Sequence, residues 1–148
     1  MKPEGSITFQ FLYTPFRLKN RKAVRSWIST CLEINGQYAA ELTFLFTTDQ
    51  EMLRLNQEHL KHDYFTDILT FPKPSGQGVS ADIVISIDRV RENAKTLGNR
   101  TLDETHRVMA HGVLHLTGLE DDTPQAQQQM RKAEDQWLSL RKEPLTTN

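Results

Sequence analysis

Residues Ile83-Val84-Ile85-Ser86-Ile87 form a nearly unbroken β-branched run, the pattern of a strand covered on both faces rather than one. A strand of that kind needs helices or further sheet on each side. Two alternating segments supply further strands. Ile7, Phe9 and Phe11 alternate with Thr8 and Gln10, and Leu42, Phe44 and Phe46 alternate with Thr43 and Leu45, so each presents one face to a core. Ile68-Leu69-Thr70-Phe71, closed by Pro72, is a fourth short strand, and Lys73 to Ser80 reads as the loop after it.

Helical spacing fills the intervals. Ala23, Trp27, Ile28, Cys31, Leu32 and Ile34 lie on one stripe that Asn35-Gly36 ends. Thr48-Asp49-Gln50-Glu51 matches a capping box, with Met52, Leu53, Leu55 and Leu60 as the apolar side of the helix it opens. Asp88 is the expected cap of a helix through Ala94 and Leu97, stopped by Gly98-Asn99. Thr101-Leu102-Asp103-Glu104 reads as a second capping box, opening a helix through Val108, His111, Leu114 and His115 to Gly118. Thr123-Pro124 starts the last helix, whose stripe is Met130, Ala133, Trp137 and Leu140. The order is strand, helix, strand, helix, two strands, three helices. It predicts a single α+β domain over residues 1–148: one layer of small mixed sheet, about four strands, covered by helices. The tail from Glu143 is expected to fray.

Charge narrows the function classes. Eighteen Lys and Arg against nineteen Asp and Glu give a net charge of -1, so global charge draws the chain neither to nucleic acid nor to an anionic membrane. An anionic partner must be read by a local patch. No apolar run reaches the roughly 18–20 residues that span a bilayer, and Met1 to Gln10 lacks the apolar segment of a signal peptide. The single cysteine, Cys31, has no internal disulfide partner, which fits a reducing cytoplasm. It sits among Trp27, Ile28 and Leu32 and reads as a core thiol.

The stretch His111-Gly112-Val113-Leu114-His115-Leu116-Thr117-Gly118-Leu119-Glu120-Asp121-Asp122 carries the chemistry. Histidines four apart on a helix share a face, with Cβ atoms about 5–6 Å apart, and two imidazole nitrogens can then reach one ion at about 2.0–2.1 Å. Gly118 allows the left-handed residue that ends the helix and turns the chain back. Asp121 or Asp122 can then swing round as the third ligand. Three protein ligands leave an open position for water, the requirement of a catalytic metal. Zinc proteases place a glutamate after the first histidine as general base; here that position is Gly112, so peptide hydrolysis by that route is disfavoured.

The segment resembles the signature of the YbeY family, H-G-x-L-H-L-x-G-Y-D-H, of metal-dependent single-strand endoribonucleases in ribosomal RNA maturation. Leu55-Asn56 with Thr66-Asp67-Ile68-Leu69-Thr70-Phe71-Pro72 is similar to the family's L-N…T-D-V-L-S-F-P. Ala81-Asp82-Ile83-Val84-Ile85-Ser86 matches its G-D-I-x-I-S strand, and Met130…Glu134 matches its last helix. The resemblance runs from Leu55 to about Glu134. It implies a divalent ion, zinc by preference, on His111, His115 and Asp121, with Asp122 as the alternative ligand. It also implies single-stranded RNA, ribosomal RNA and the small ribosomal subunit as partners, with no DNA. Thr66 and Asp67 become cleft residues beside the ligands. The general base is open between Glu120 and hydroxide on the ion itself. Two positions depart from the pattern: the third family histidine falls at Asp121, and an arginine that contacts RNA phosphate falls at Leu60, after His59. With carboxylate in place of imidazole the bound water is less acidified. A non-catalytic ribosome-associated factor with a structural metal is therefore the alternative function. Two histidines and a carboxylate also form the facial triad of iron oxygenases, which the absence of an all-β pattern disfavours.

Arg17, Lys19, Arg21, Lys22 and Arg25 are the densest basic cluster. They are either an RNA phosphate contact or a solvated helix start. His59, Lys61 and His62 read as surface beside the T-D-I-L-T-F segment, with an RNA groove as the second reading. His106, five residues before His111, lies off the metal-facing stripe and is expected on the helix surface. Phe44, Phe46 and Trp137 are expected in the core.

Overall fold

The computed structural model describes residues 6–60, 66–74 and 76–146, apart from the Leu60 side chain. Four strands form one mixed sheet: β1 (Ser6–Phe11), β2 (Ala39–Thr47), β3 (Ile68–Pro72) and β4 (Val79–Ser86), in the order β1-β2-β4-β3. β1 pairs with β2 and β2 with β4 in parallel, while β3 returns antiparallel to β4. One cross-sheet row is Phe9, Phe44, Ile83 and Thr70. The helices are α1 (Arg21–Ile34), α2 (Asp49–Leu55), α3 (Ile87–Leu97), α4 (Thr101–Leu116) and α5 (Pro124–Ser139), with a π-helical turn Asn56–Leu60 after α2. This is the α+β architecture that the element order predicts.

The β-branched run behaves as its composition requires. Ile83 and Ile85 are fully buried in the main core with Phe44, Phe46 and the inner faces of α1, α4 and α5. Val84, on the opposite face, packs with Met52 of α2 and Leu69 of β3 in a smaller cluster. β4 is thus covered on both sides. Trp137, Phe44 and Phe46 are core residues, and Cys31 is fully buried, its thiol pushed up to about 12 by desolvation. No helix among the described residues is long and apolar enough to cross a membrane.

Two helix starts follow the sequence. Thr48 Oγ1 accepts the Glu51 N–H at 3.2 Å and Thr123 Oγ1 the Ala126 N–H at 3.0 Å, although Glu51 turns its carboxylate to Arg54 instead of closing a box. Five expectations are corrected. Strand β4 begins inside the expected loop and ends at Ser86, whose hydroxyl accepts the Arg89 N–H and caps α3. Asp88, inside that helix, accepts from the Asp49 N–H instead. Thr101 is already helical, and the residue before it, Arg100, gives no side-chain cap. His106 is not on the surface but 0% exposed, because α4 is the central helix and is covered on nearly all sides. The tail does not fray at Glu143: Leu145 is 2% exposed and belongs to the core.

Candidate metal centre

Helix α4 brings the histidines to the sheet edge through Gly112. A Cβ there would lie 2.7 Å from Ile68 Cδ1 and 3.2 Å from Ile83 Cγ2, so glycine is what lets the helix seat closely on β3 and β4. At its end, Gly118 takes a φ of +110°. The Gly118 N–H then bonds the His115 carbonyl and the Leu119 N–H the Leu114 carbonyl, the double closure that reverses a chain after a helix. The reversal carries Asp121 back over the last turn. There the Gln127 side chain of α5 donates to the Asp121 carbonyl at 3.1 Å.

His111, His115 and Asp121 converge. Asp121 Oδ2 is 3.4 Å from His111 Nε2 and Oδ1 is 3.6 Å from His115 Nε2; ligand atoms of all three lie within 4.8 Å of one another. Donors at about 2.0–2.1 Å around a tetrahedral zinc sit about 3.3–3.5 Å apart, so the donor set fits such an ion. The two imidazoles meet edge to face, with centroids 4.5 Å apart.

Hydrogen bonding decides which nitrogens are free. His115 Nδ1 lies 2.9 Å from the Leu119 carbonyl oxygen. A carbonyl only accepts, so Nδ1 carries the proton and Nε2 presents its lone pair. His111 Nδ1 lies 2.7 Å from Glu134 Oε2, and the carboxylate holds the proton there in the same way. Both rings therefore aim Nε2 at Asp121, with the second nitrogen held from behind, the arrangement of metal-ligating histidines.

Glu134 is buried on α5 and is held in turn by Arg107, whose Nη1 donates to Oε1 at 2.9 Å while Nη2 binds Asp135. Burial works against its charge, but His111 and Arg107 together hold its carboxyl below the usual range. His111 is likewise opposed by burial, yet the carboxylates of Glu134, Asp121 and Asp67 raise it above an ordinary imidazole. Asp67, at the entry to β3, is pushed up by desolvation; it accepts from Asn93 at 3.3 Å and is near enough for His111 to pull it partly back. Thr66 is half-buried beside it, its hydroxyl on the Ile68 carbonyl at 3.3 Å.

Asp122 and Glu120 are exposed and lie outside the converging group. Arg17, Arg21 and Arg25 lie over phenylalanines of β1, the edge of the sheet opposite β3, and Lys19 and Lys22 are exposed in the same stretch of chain. His59 sets its ring edge-on to Phe71 of β3, with centroids 5.8 Å apart. The Leu60 side chain, Lys61 and His62 fall outside the described residues. The contact that sequence reasoning missed is Glu134 to His111. Glu134 was visible as part of the resemblance, but its role depends on how α5 packs on α4.

A family model described as Endoribonuclease YbeY matches residues 14–141. Endoribonuclease YbeY of Cytophaga hutchinsonii is 43% identical over 140 residues, covering 94% of this chain and 98% of its own. The Porphyromonas gingivalis protein of the same name is 42% identical over 125 residues, 84% of this chain and 83% of its own. The solution structure of TM1509 from Thermotoga maritima has the same fold, with a TM-score of 0.66 at 21% identity over 97% of both chains. On the family match and these identities, the chain belongs to the endoribonuclease YbeY family, a family of RNA-cleaving hydrolases.

Proposed function

We infer that the chain is a metal-dependent endoribonuclease that cuts single-stranded segments of ribosomal RNA during maturation of the small ribosomal subunit, in the cytoplasm. The observation that carries this reading is the pair of Nε2 lone pairs facing Asp121 with both Nδ1 protons already committed. His111, His115 and Asp121 would hold the ion, with zinc preferred for this donor set. When bound, the ion supplies Lewis acidity toward a phosphate oxygen and lowers the pKa of a water at the open position.

The chain's own residues supply the rest. Glu134 and the Leu119 carbonyl fix the imidazole orientations, so no rotation is needed when the site loads. β3 and β4 form the floor of the cleft, and Thr66 and Asp67 stand at its entry beside His111. Glu120, exposed one residue before Asp121, is the carboxylate available to take a proton from attacking water. Three donors, and no fourth among the described residues, favour this reading over a closed structural metal.

Metal content of the purified protein, measured with cleavage of single- and double-stranded RNA with and without chelator, tests it. Stoichiometric zinc and chelator-sensitive cutting of the single strand are expected, and both His111→Ala and His115→Ala should lose the metal and the cutting. Stoichiometric metal retained in both variants would remove the site. Metal bound without RNA cleavage would turn the reading to the structural alternative, and iron in place of zinc would reopen the oxygenase.

A further inference from the structure

Between Glu4 and Glu33 the sequence has no acidic residue, yet it carries Arg17, Lys19, Arg21, Lys22 and Arg25. In the fold these cations gather at the β1 edge, and α3 adds Arg91. Four arginines there lie over phenylalanine rings: Arg17 and Arg21 over Phe11 at 5.0 and 5.6 Å, Arg25 over Phe9 at 5.1 Å, and Arg91 over Phe16 at 6.0 Å. The rings themselves are stacked onto the core, Phe9 on Phe44 and Phe11 on Phe46. Of the other six arginines, Arg54, Arg89, Arg100, Arg107 and Arg141 pair with carboxylates, and Arg131 has no such pair among the described residues. Among the described residues, none of the four arginines over the phenylalanines has a carboxylate within ion-pair distance.

A guanidinium over an aromatic ring has less rotamer freedom left to lose. Arg17 Nη1 also donates to the Thr14 and Phe16 carbonyls and Arg25 Nε to that of Ile7, which fixes these two side chains and leaves them further N–H donors. Its planar fork matches a phosphate in two parallel hydrogen bonds. Arg21 and Arg25 are separated by one helical turn, about 5.4 Å, a step suited to successive phosphates of one strand. Beside them a cavity of about 230 Å³ opens between Arg17 and Lys19 of the β1–α1 loop and Thr101 and Thr105 of α4. Both α1 and α4 begin there without a side-chain cap, so their first N–H groups add to the positive field. Three strand spacings, about 14 Å, separate this edge from β3.

We propose that the Arg17–Arg25 edge with Arg91 is a second, non-catalytic docking surface that holds the phosphate backbone of a single-stranded RNA whose scissile segment lies at the His111–His115–Asp121 centre. This rests on the endoribonuclease reading above. It also accounts for RNA binding by a chain of net charge -1, because the attraction is local.

The test uses Arg21→Gln/Lys22→Gln/Arg91→Gln, three side chains whose polar ends make no hydrogen bond to the protein among the described residues. The charge-matched control is Lys95→Gln/Arg131→Gln/Lys132→Gln. Binding of a long single-stranded RNA is followed across salt concentrations with the metal stripped, so the measurement stands whether or not the chain cuts. The log–log salt slope should fall by about 0.7 per lost contact, about 2 for the triple variant, with the control unchanged. With metal restored, KM for the long RNA should rise at unchanged kcat, while cutting of a short oligonucleotide and metal content stay as in the parent. An unchanged slope, an equal fall in the control, or a loss of binding to phosphatidylserine vesicles with RNA binding intact would each overturn the proposal.

Discussion

His106 and His111 stand five residues apart on α4, both largely withdrawn from water, and their surroundings push them in opposite directions. His106 is enclosed by Trp27 and the core, and among the described residues its one hydrogen-bond partner is a cation: Arg141 Nη1 donates to its Nδ1 at 2.9 Å. Desolvation and that cation together push it down to about 4. His111 is opposed by burial too, but its neighbours are Glu134, Asp121 and Asp67, and it rises. Burial alone therefore does not set a histidine's hold on a proton; the sign of the charge beside it does. Carboxylates around a half-buried imidazole prepare a place for a cation, whereas an arginine beside a fully buried one keeps it neutral and structural.

The comparison breaks if the acidic partners of His111 are interchangeable with their neighbours. The largest effect is expected at Asp121, the third ligand of the proposed site. Asp121→Ala should weaken zinc binding by roughly a hundredfold or more, since a ligand matters at least as much as the groups behind it, while Asp122→Ala should leave affinity near that of the parent. Chelator competition on the two variants measures this, and equal losses would show that the loop uses either carboxylate. Next comes the residue behind the site. Glu134→Ala should cost about 10–100-fold in zinc affinity, and Glu134→Gln, which can still accept from Nδ1, about tenfold or less. Arg107 keeps Asp135 in both variants, so no buried cation is stranded. If Glu134→Ala bound zinc as the parent does, the hydrogen bond to His111 would be a packing contact only.

What the sequence made legible follows the range of each interaction. The two histidines and Gly118 lie within one helix and its closing turn, so their spacing alone predicts a shared face and a reversal. Asp121 over Asp122 came from family spacing, and the reversed loop places Asp121 between the two rings. Glu134 reaches His111 only through the packing of α5 on α4, which no local pattern encodes. The five-residue offset of His106 from His111 predicts a solvent-facing position, but α4 is covered on nearly all sides and buries the ring. The signal against that reading was present: Met109-Ala110 and Val113-Leu114, either side of His111-Gly112, spread apolar residues too widely for a one-sided helix. Ser86 is hidden as a cap in the sequence because it also ends a strand, and its hydroxyl serves the helix only once the strand stops there.

The smallest effect separates the two histidines by pH. His106 is depressed in the folded chain to about 4, against an ordinary value near 6.5 in the unfolded one. Between these values the unfolded chain binds the extra proton, so stability from this residue is fully present above pH 6.5 and drains away as the pH falls toward 4. From pH 7 to 5.5 the loss should be on the order of 1 kcal/mol. The carboxylates Glu134 and Asp103, held low by their partners, give up their contribution only at more acid pH. His111, being raised, has its change on the alkaline side of its ordinary value, with the stability it contributes lost as the pH rises through its folded value. Urea unfolding of the metal-free protein at pH 7 and 5.5, repeated on His106→Gln, isolates the term. The variant keeps an acceptor for Arg141 but cannot titrate, so its stability should change less over this interval than the parent's. A ring proton of His106 followed by NMR should show no titration above pH 5. Parallel pH profiles for parent and variant, or a titration near 6.5, would mean that the core admits the charged ring and that the contrast with His111 is one of degree.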